Sequence, residues 1–278
     1  MARRKPGARK LLVKVAVAVL ALLTVVVTLF PIYWLVITSI APGEVVMTYP
    51  PHFIPSTFTL EWWEYTLKTI REPLINSLII SGTVAVVSSF TGLIAGYGFA
   101  RFRRPDDKVL FWILSIRFMP AIVAIIPYYL LFSSLKMLDT HLAVIIPHLT
   151  IGIPFAVWMM RGVIVSVPRD LEEAALVDGC TRLGAVLRIV FPLVLPGFLV
   201  TMLFTFIWSW NEFMYALVLT DVKARVLTVT IAGMREAHGL MWGAVSAAAL
   251  IATLPILLLA VLLQKYLISG LAFYGMKG

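Results

Sequence analysis

Pro168-Arg169-Asp170-Leu171-Glu172-Glu173-Ala174-Ala175-Leu176-Val177-Asp178-Gly179 is a polar island between long apolar stretches. Asp170 with Glu173 three residues later has the pattern of a capping box, and acidic residues suit the positive end of a helix dipole. Gly179 is placed to stop the helix in the left-handed conformation. A short, well-bounded helix is therefore predicted. Thr181 is set to cap a second short helix through Leu187 and Arg188, until Pro192 and Pro196 break it and open the next apolar stretch. Small Ala174 and Ala175 beside Leu171 and Leu176 suit docking into a groove on a soluble partner, and the alternative is a helix lying on lipid headgroups. The excess of acidic over basic residues from Asp170 to Gly179 counts against an anionic membrane surface.

Outside this island the 278-residue chain is 61% hydrophobic and 13% charged, with a mean hydropathy of +0.97, a balance no soluble domain of this size sustains. Six segments are long and apolar enough to cross a membrane, at about 18–40, 74–100, 109–131, 142–160, 196–219 and 242–263. The fold class is thus an all-α integral membrane bundle of six spans, with the short helix in the connection 161–195 between spans 4 and 5. A basic tail, 1–17, precedes one membrane domain, 18–278. The first apolar run exceeds a signal-peptide core and is read as an anchor. Sixteen of the 23 Lys and Arg residues fall in the tail, in the connections 101–108 and 161–188, and after the last span. The positive-inside rule then puts both termini in the cytoplasm.

Several function classes drop out. The net charge of +9 is dispersed in short clusters rather than gathered on a stripe, so no nucleic-acid partner is expected. Cys180 is the one cysteine and has no metal-ligand companions, and no metal or catalytic residue is expected. His-Glu-x-x-His and Gly-x-Ser-x-Gly are missing, which leaves no basis for enzyme chemistry. Gly96-Tyr97-Gly98 matches a potassium-filter tripeptide in letters, but Arg101, Arg103 and Arg104 follow it with no re-entrant loop.

Inside the spans, Ser88, Gly92 and Gly96 recur every four residues and predict a close helix–helix approach. Glu61-Trp62-Trp63-Glu64-Tyr65, in the connection 41–73, reads as an amphipathic interfacial anchor in contact with membrane lipid, with a partner-protein contact as the functional alternative. Arg117 and Glu212 are the charged residues within the spans. An Arg at mid-span costs roughly 2.5 to 3.5 kcal/mol on insertion scales, so Arg117 has to face a wet cavity or a partner. Arg117 and Glu212 either pair with each other or with helix ends, or they line a solute path with Trp210 and Asn211, whose indole and amide suit a sugar's ring face and hydroxyls.

Glu173-Ala174-Ala175, three residues, Gly179, nine residues, Ile189, one residue and Phe191-Pro192 together resemble the EAA loop of ABC-importer permeases, with Phe191 where that pattern has Leu. Asn76-Ser77, Leu138-Asp139-Thr140-His141, Trp210-Asn211-Glu212-Phe213 and Gly275-Met276-Lys277-Gly278 are similar to stretches of carbohydrate permeases of the maltose-transporter kind. The resemblance implies a permease subunit of an ATP-driven sugar or polyol importer in a bacterial or archaeal cytoplasmic membrane. It further implies a homologous second permease, two ATPase subunits carrying ATP and Mg, and an extracytoplasmic solute-binding protein. On that resemblance Glu172, Glu173, Ala174, Ala175, Asp178 and Gly179 couple to the ATPase. The chain has no Gly-x-x-x-x-Gly-Lys-Ser/Thr phosphate loop of its own. A permease for peptides, phosphate or metal, or an ion-coupled secondary transporter, is the competing expectation.

Overall fold

The computed structural model describes residues 8–102, 107–236 and 239–275. They form α1 (Ala8–Ile40), α2 (Gly43–Val46), α3 (Glu61–Arg101), α4 (Asp107–Ser115), α5 (Ala121–Ser134), α6 (His141–Val165), α7 (Asp170–Val177), α8 (Arg182–Ala185), α9 (Phe191–Asn211), α10 (Met214–Leu219) and α11 (Leu227–Ala232). A two-residue antiparallel pair, β1 (Arg235–Glu236) and β2 (Gly239–Leu240), then precedes α12 (Trp242–Gly275). Five helical stretches are long and apolar enough to cross a membrane, and a bent pair makes a sixth if taken as one span.

The chain divides into two compact units, Met1–Lys68 with Met234–Ile251, and Thr69–Gly233 with Ala252–Gly278. In the first, Trp62 donates its indole N–H to the Ala41 carbonyl at 2.8 Å, and a Cβ at Gly243 would collide with the same indole. The Glu61–Tyr65 cluster therefore opens α3 and serves packing, where the sequence pointed to a separate surface-lying stretch. Pro73 does not end that helix. Along α1 the apolar side chains stand exposed, Val27 at 71% among them.

In the second unit α3, α6 and α9 enclose a core of Leu93, Met160, Ile164, Val190, Val194 and Phe198. The small-residue stripe lies against α6, as expected. A Cβ on Gly92 would come within 2.6 Å of the Ala156 backbone, one on Gly96 within 2.8 Å of the Arg161 nitrogen, and one on Gly152 within 2.6 Å of the Ser88 hydroxyl. Side chains at these positions would force the two helices apart.

Two expected continuous spans are broken. The third turns through 83° between Lys108–Phe118 and Ala121–Ser134. Pro120 causes this by driving Met119 into an extended conformation (ψ 124°). The fifth stops at Asn211, because Glu212 is extended (ψ 138°) and its carboxylate accepts from the Met214 and Tyr215 N–H groups, starting α10 anew. Conversely, the break expected at Pro192 and Pro196 does not occur, and helix runs from Arg182 to Asn211. A π-helical turn over Val186–Val190 widens the backbone where the Pro192 ring would otherwise meet the Arg188 carbonyl.

Candidate functional site

α7 is held by its neighbours and open on one face. Its first turn has Arg169 at the cap with no side-chain cap bond, so the expected Asp170–Glu173 capping box does not form. Glu172 instead points inward. Its carboxylate meets Arg101 at 2.5 Å and accepts the Tyr97 hydroxyl at 2.9 Å. Arg101 also donates to the Val167 carbonyl and Arg169 to the Ala100 carbonyl, tying the segment that leads into α7 to the end of α3. The far end closes as the sequence predicts. Gly179 adopts φ +86°, the Gly179 N–H donates to the Leu176 carbonyl, and the Cys180 N–H donates to the Ala175 carbonyl. Thr181 accepts from the Gly184 N–H and caps α8.

The candidate residues on α7 therefore separate. Glu172 and Ala175 are buried against the body of the unit, while Glu173, Ala174, Asp178 and Gly179 are exposed. Asp170, Glu173, Ala174 and Val177 fall at helical spacing along one open face. Neither Tyr97 nor Arg101 was read in the sequence as a partner of this loop, Tyr97 standing out only within the Gly96-Tyr97-Gly98 tripeptide. The arginines ending the second span were visible there only as topology markers.

The four intramembrane candidates also separate. Trp210 is buried, stacks on Phe206 at 5.5 Å and donates its indole N–H to the Ala252 carbonyl at 3.2 Å. Asn211 is exposed and donates to the Ile207 carbonyl one turn back. Glu212 lies 3.2 Å from His148 Nε2, and His148 Nδ1 lies 2.8 Å from the Ser209 hydroxyl. This buried chain links α6 to the junction of α9 and α10. His148 went unnoticed in the sequence because one His in an apolar run has no spacing signature. Arg117 is joined to none of these. It sits in the 3₁₀ turn Ile116–Phe118, its guanidinium lies 4.7 Å from the Phe155 ring centre, and it lines a cavity of about 310 Å3 with Gly152, Phe155, Phe204, Thr205, Ile207 and Trp208.

At the other end of the unit Asp139, itself at φ 56°, accepts four backbone N–H bonds from Asp221, Val222, Lys223 and Ala224. Asn76 donates to the Lys223 and Arg225 carbonyls, and its side-chain oxygen lies 2.8 Å from His141 Nε2. Ser77 accepts the Leu227 N–H. The dipeptide Asn76-Ser77 and the stretch Leu138–His141, far apart in sequence, thus grip the same loop, 219–227. The terminal Gly275-Met276-Lys277-Gly278 lies outside the described residues except for Gly275, which ends α12.

Residues 88–272 match the family model described as the binding-protein-dependent transport system inner membrane component. The chain belongs to that family. It is 35% identical over 253 residues to the probable ABC transporter permease protein y4oR of Sinorhizobium fredii, spanning 90% of this chain and 91% of the relative. It is 31% identical over 265 residues to the trehalose/maltose transport system permease protein MalG of Thermococcus litoralis, spanning 93% and 95%. The fold is similar to that of a chain of a bacterial ABC transporter involved in the import of the acidic polysaccharide alginate, with TM-score 0.74 at 21% identity over 95% of this chain and 99% of that one. These matches bear out the resemblance read from the sequence and displace the ion-coupled alternative. The family is one of multi-pass permease subunits rather than enzymes.

Proposed function

We propose that the chain is a permease subunit of an ATP-driven, binding-protein-dependent importer of a sugar or polyol. The observation that carries this is α7, a short helix fixed to α3 by the Arg101–Glu172 pair while one face stays open. Such an element can receive motion from a soluble ATPase and pass it to the spans without bending first. Relatives named for trehalose/maltose, diacetylchitobiose and glucose support the cargo class. On this reading residues 18–278 act as one permease domain of six spans, with the bent pair α4–α5 as the third and both termini cytoplasmic. A homologous second permease completes the pathway. Two ATPase subunits bind ATP and Mg, and an extracytoplasmic binding protein, such as the one in the solved alginate transporter complex, delivers the solute. Glu173, Ala174, Asp178 and Gly179 meet the ATPase directly, and Glu172 and Ala175 position them.

The test is purification of the tagged chain from membranes. It should bring down an ATPase whose activity rises when binding protein and sugar are added together, and single cysteines at Lys5 and Lys277 should be shielded from an impermeant thiol reagent in intact cells while one at Asp139 reacts. An ATPase-free preparation or the reverse labelling pattern would overturn the assignment.

A further inference from the structure

We infer that the solute passing Arg117 carries an anionic group, with a carboxylate on a pyranose-sized ring as the chemistry that fits; this rests on the sugar-importer reading above. Arg117 lines a cavity of about 310 Å3, at the small end of the roughly 300–1,000 Å3 range of small-molecule sites. No other charged side chain among the described residues lines that cavity. The guanidinium stays protonated, and the Phe155 ring covers one of its faces while the in-plane N–H fork is left for a ligand.

The carboxylate that the sequence offered as its partner is committed elsewhere. Glu212 is engaged by His148 and by the Met214 and Tyr215 N–H groups at the start of α10. Among the described residues Arg117 therefore has no acidic partner, in a position where an uncompensated charge is costly. A carboxylate matches the guanidinium fork with two parallel charge-assisted bonds, whereas a neutral hydroxyl offers one weaker acceptor. Trp208, Phe155 and Phe204 add aromatic faces suited to the C–H faces of a sugar ring.

The test uses the whole importer in cells and two labelled disaccharide pairs that differ only at C6: digalacturonate against galactobiose, and a glucuronate-ended against a glucose-ended cellobiose. The binding protein is untouched by substitution of the permease, so a changed acid-to-neutral ratio reports on this chain. The wild type is expected to take up an acidic member. Arg117→Gln should lower that uptake roughly tenfold or more relative to the neutral member, and Arg117→Lys should keep part of it. Uptake confined to the neutral members, or wild-type acidic uptake by a normally assembled Arg117→Gln, overturns the inference and leaves the sugar-importer reading standing. Loss of assembly in Arg117→Gln, restored by Arg117→Lys, assigns the compensating anion to a partner subunit and overturns it equally. Wild-type cells that take up none of the four sugars overturn this inference, while the sugar-importer reading stands or falls on the co-purification test above.

Discussion

The two ends of the second unit are fastened by opposite means. At α7 a buried side-chain pair, Arg101 with Glu172, joins two helices, the exposures being 8% and 9%. At loop 219–227 the half-buried carboxylate of Asp139 gathers four backbone N–H groups. The first fastening depends on both partners, since neither charge is tolerable alone. The second depends on one residue whose partners are main chain and cannot be substituted away. A fastening of the first kind holds a moving part in a fixed register, whereas the second sets the shape of a loop.

The contrast is sharpest where one partner is removed. Arg101→Met leaves Glu172 buried without its counter-ion and should cost about 3 to 5 kcal/mol of stability. Arg101→Met with Glu172→Met should recover most of that loss, because the desolvated charge goes with its partner. Thermal unfolding of the detergent-solubilised complex measures both, and a double variant as unstable as the single one would show that the pair itself, rather than the orphaned charge, sustains the junction.

Asp139→Asn should cost less, about 1 to 2 kcal/mol, since Asn keeps one acceptor oxygen and tolerates the left-handed backbone. It should also change the acid limb. Burial pushes the Asp139 carboxyl up, but the four N–H bonds outweigh it and bring it down to about 2. The folded value lies below the unfolded one, near 4, so its contribution is complete above about pH 4 and is lost as the pH falls toward 2. Protease protection of loop 219–227 measured against pH should lose that step in Asp139→Asn, and an unchanged profile would assign the step to another group.

The smallest change in stability is expected on the open face of α7. Glu173→Lys faces solvent and opposes the helix dipole, a cost of about 0.5 kcal/mol. Yet it should abolish stimulation of the ATPase by the loaded binding protein, if that face receives the ATPase. Normal stimulation would separate the EAA-like pattern from coupling.

What could be read from the sequence followed the range over which each signal acts. The Gly179 stop, the Thr181 cap and the small-residue stripe are local patterns, and each stands where expected. Pro120 announced its break one residue ahead and was overlooked because the hydropathy continues across it. The break at Glu212 has no Pro or Gly to mark it and depends on a carboxylate turning back onto the next helix. Glu172 had the same local credentials as Glu173. Only Arg101 and Tyr97, about seventy residues earlier, decide that one turns inward. Arg117 and Glu212 were a reasonable pair by charge, and the partners His148 and Phe155 took each of them away.

The helix α3 reaches both fastenings, with Asn76 and Ser77 gripping one and Tyr97 and Arg101 the other. Between Asn76 and Arg101 runs about 38 Å of unbroken helix at 1.5 Å per residue, with no proline, and its glycines at 92 and 96 are clamped against α6. In mechanical terms it is a strut: with no hinge along its length, a displacement of one grip has no place to be absorbed before it reaches the other.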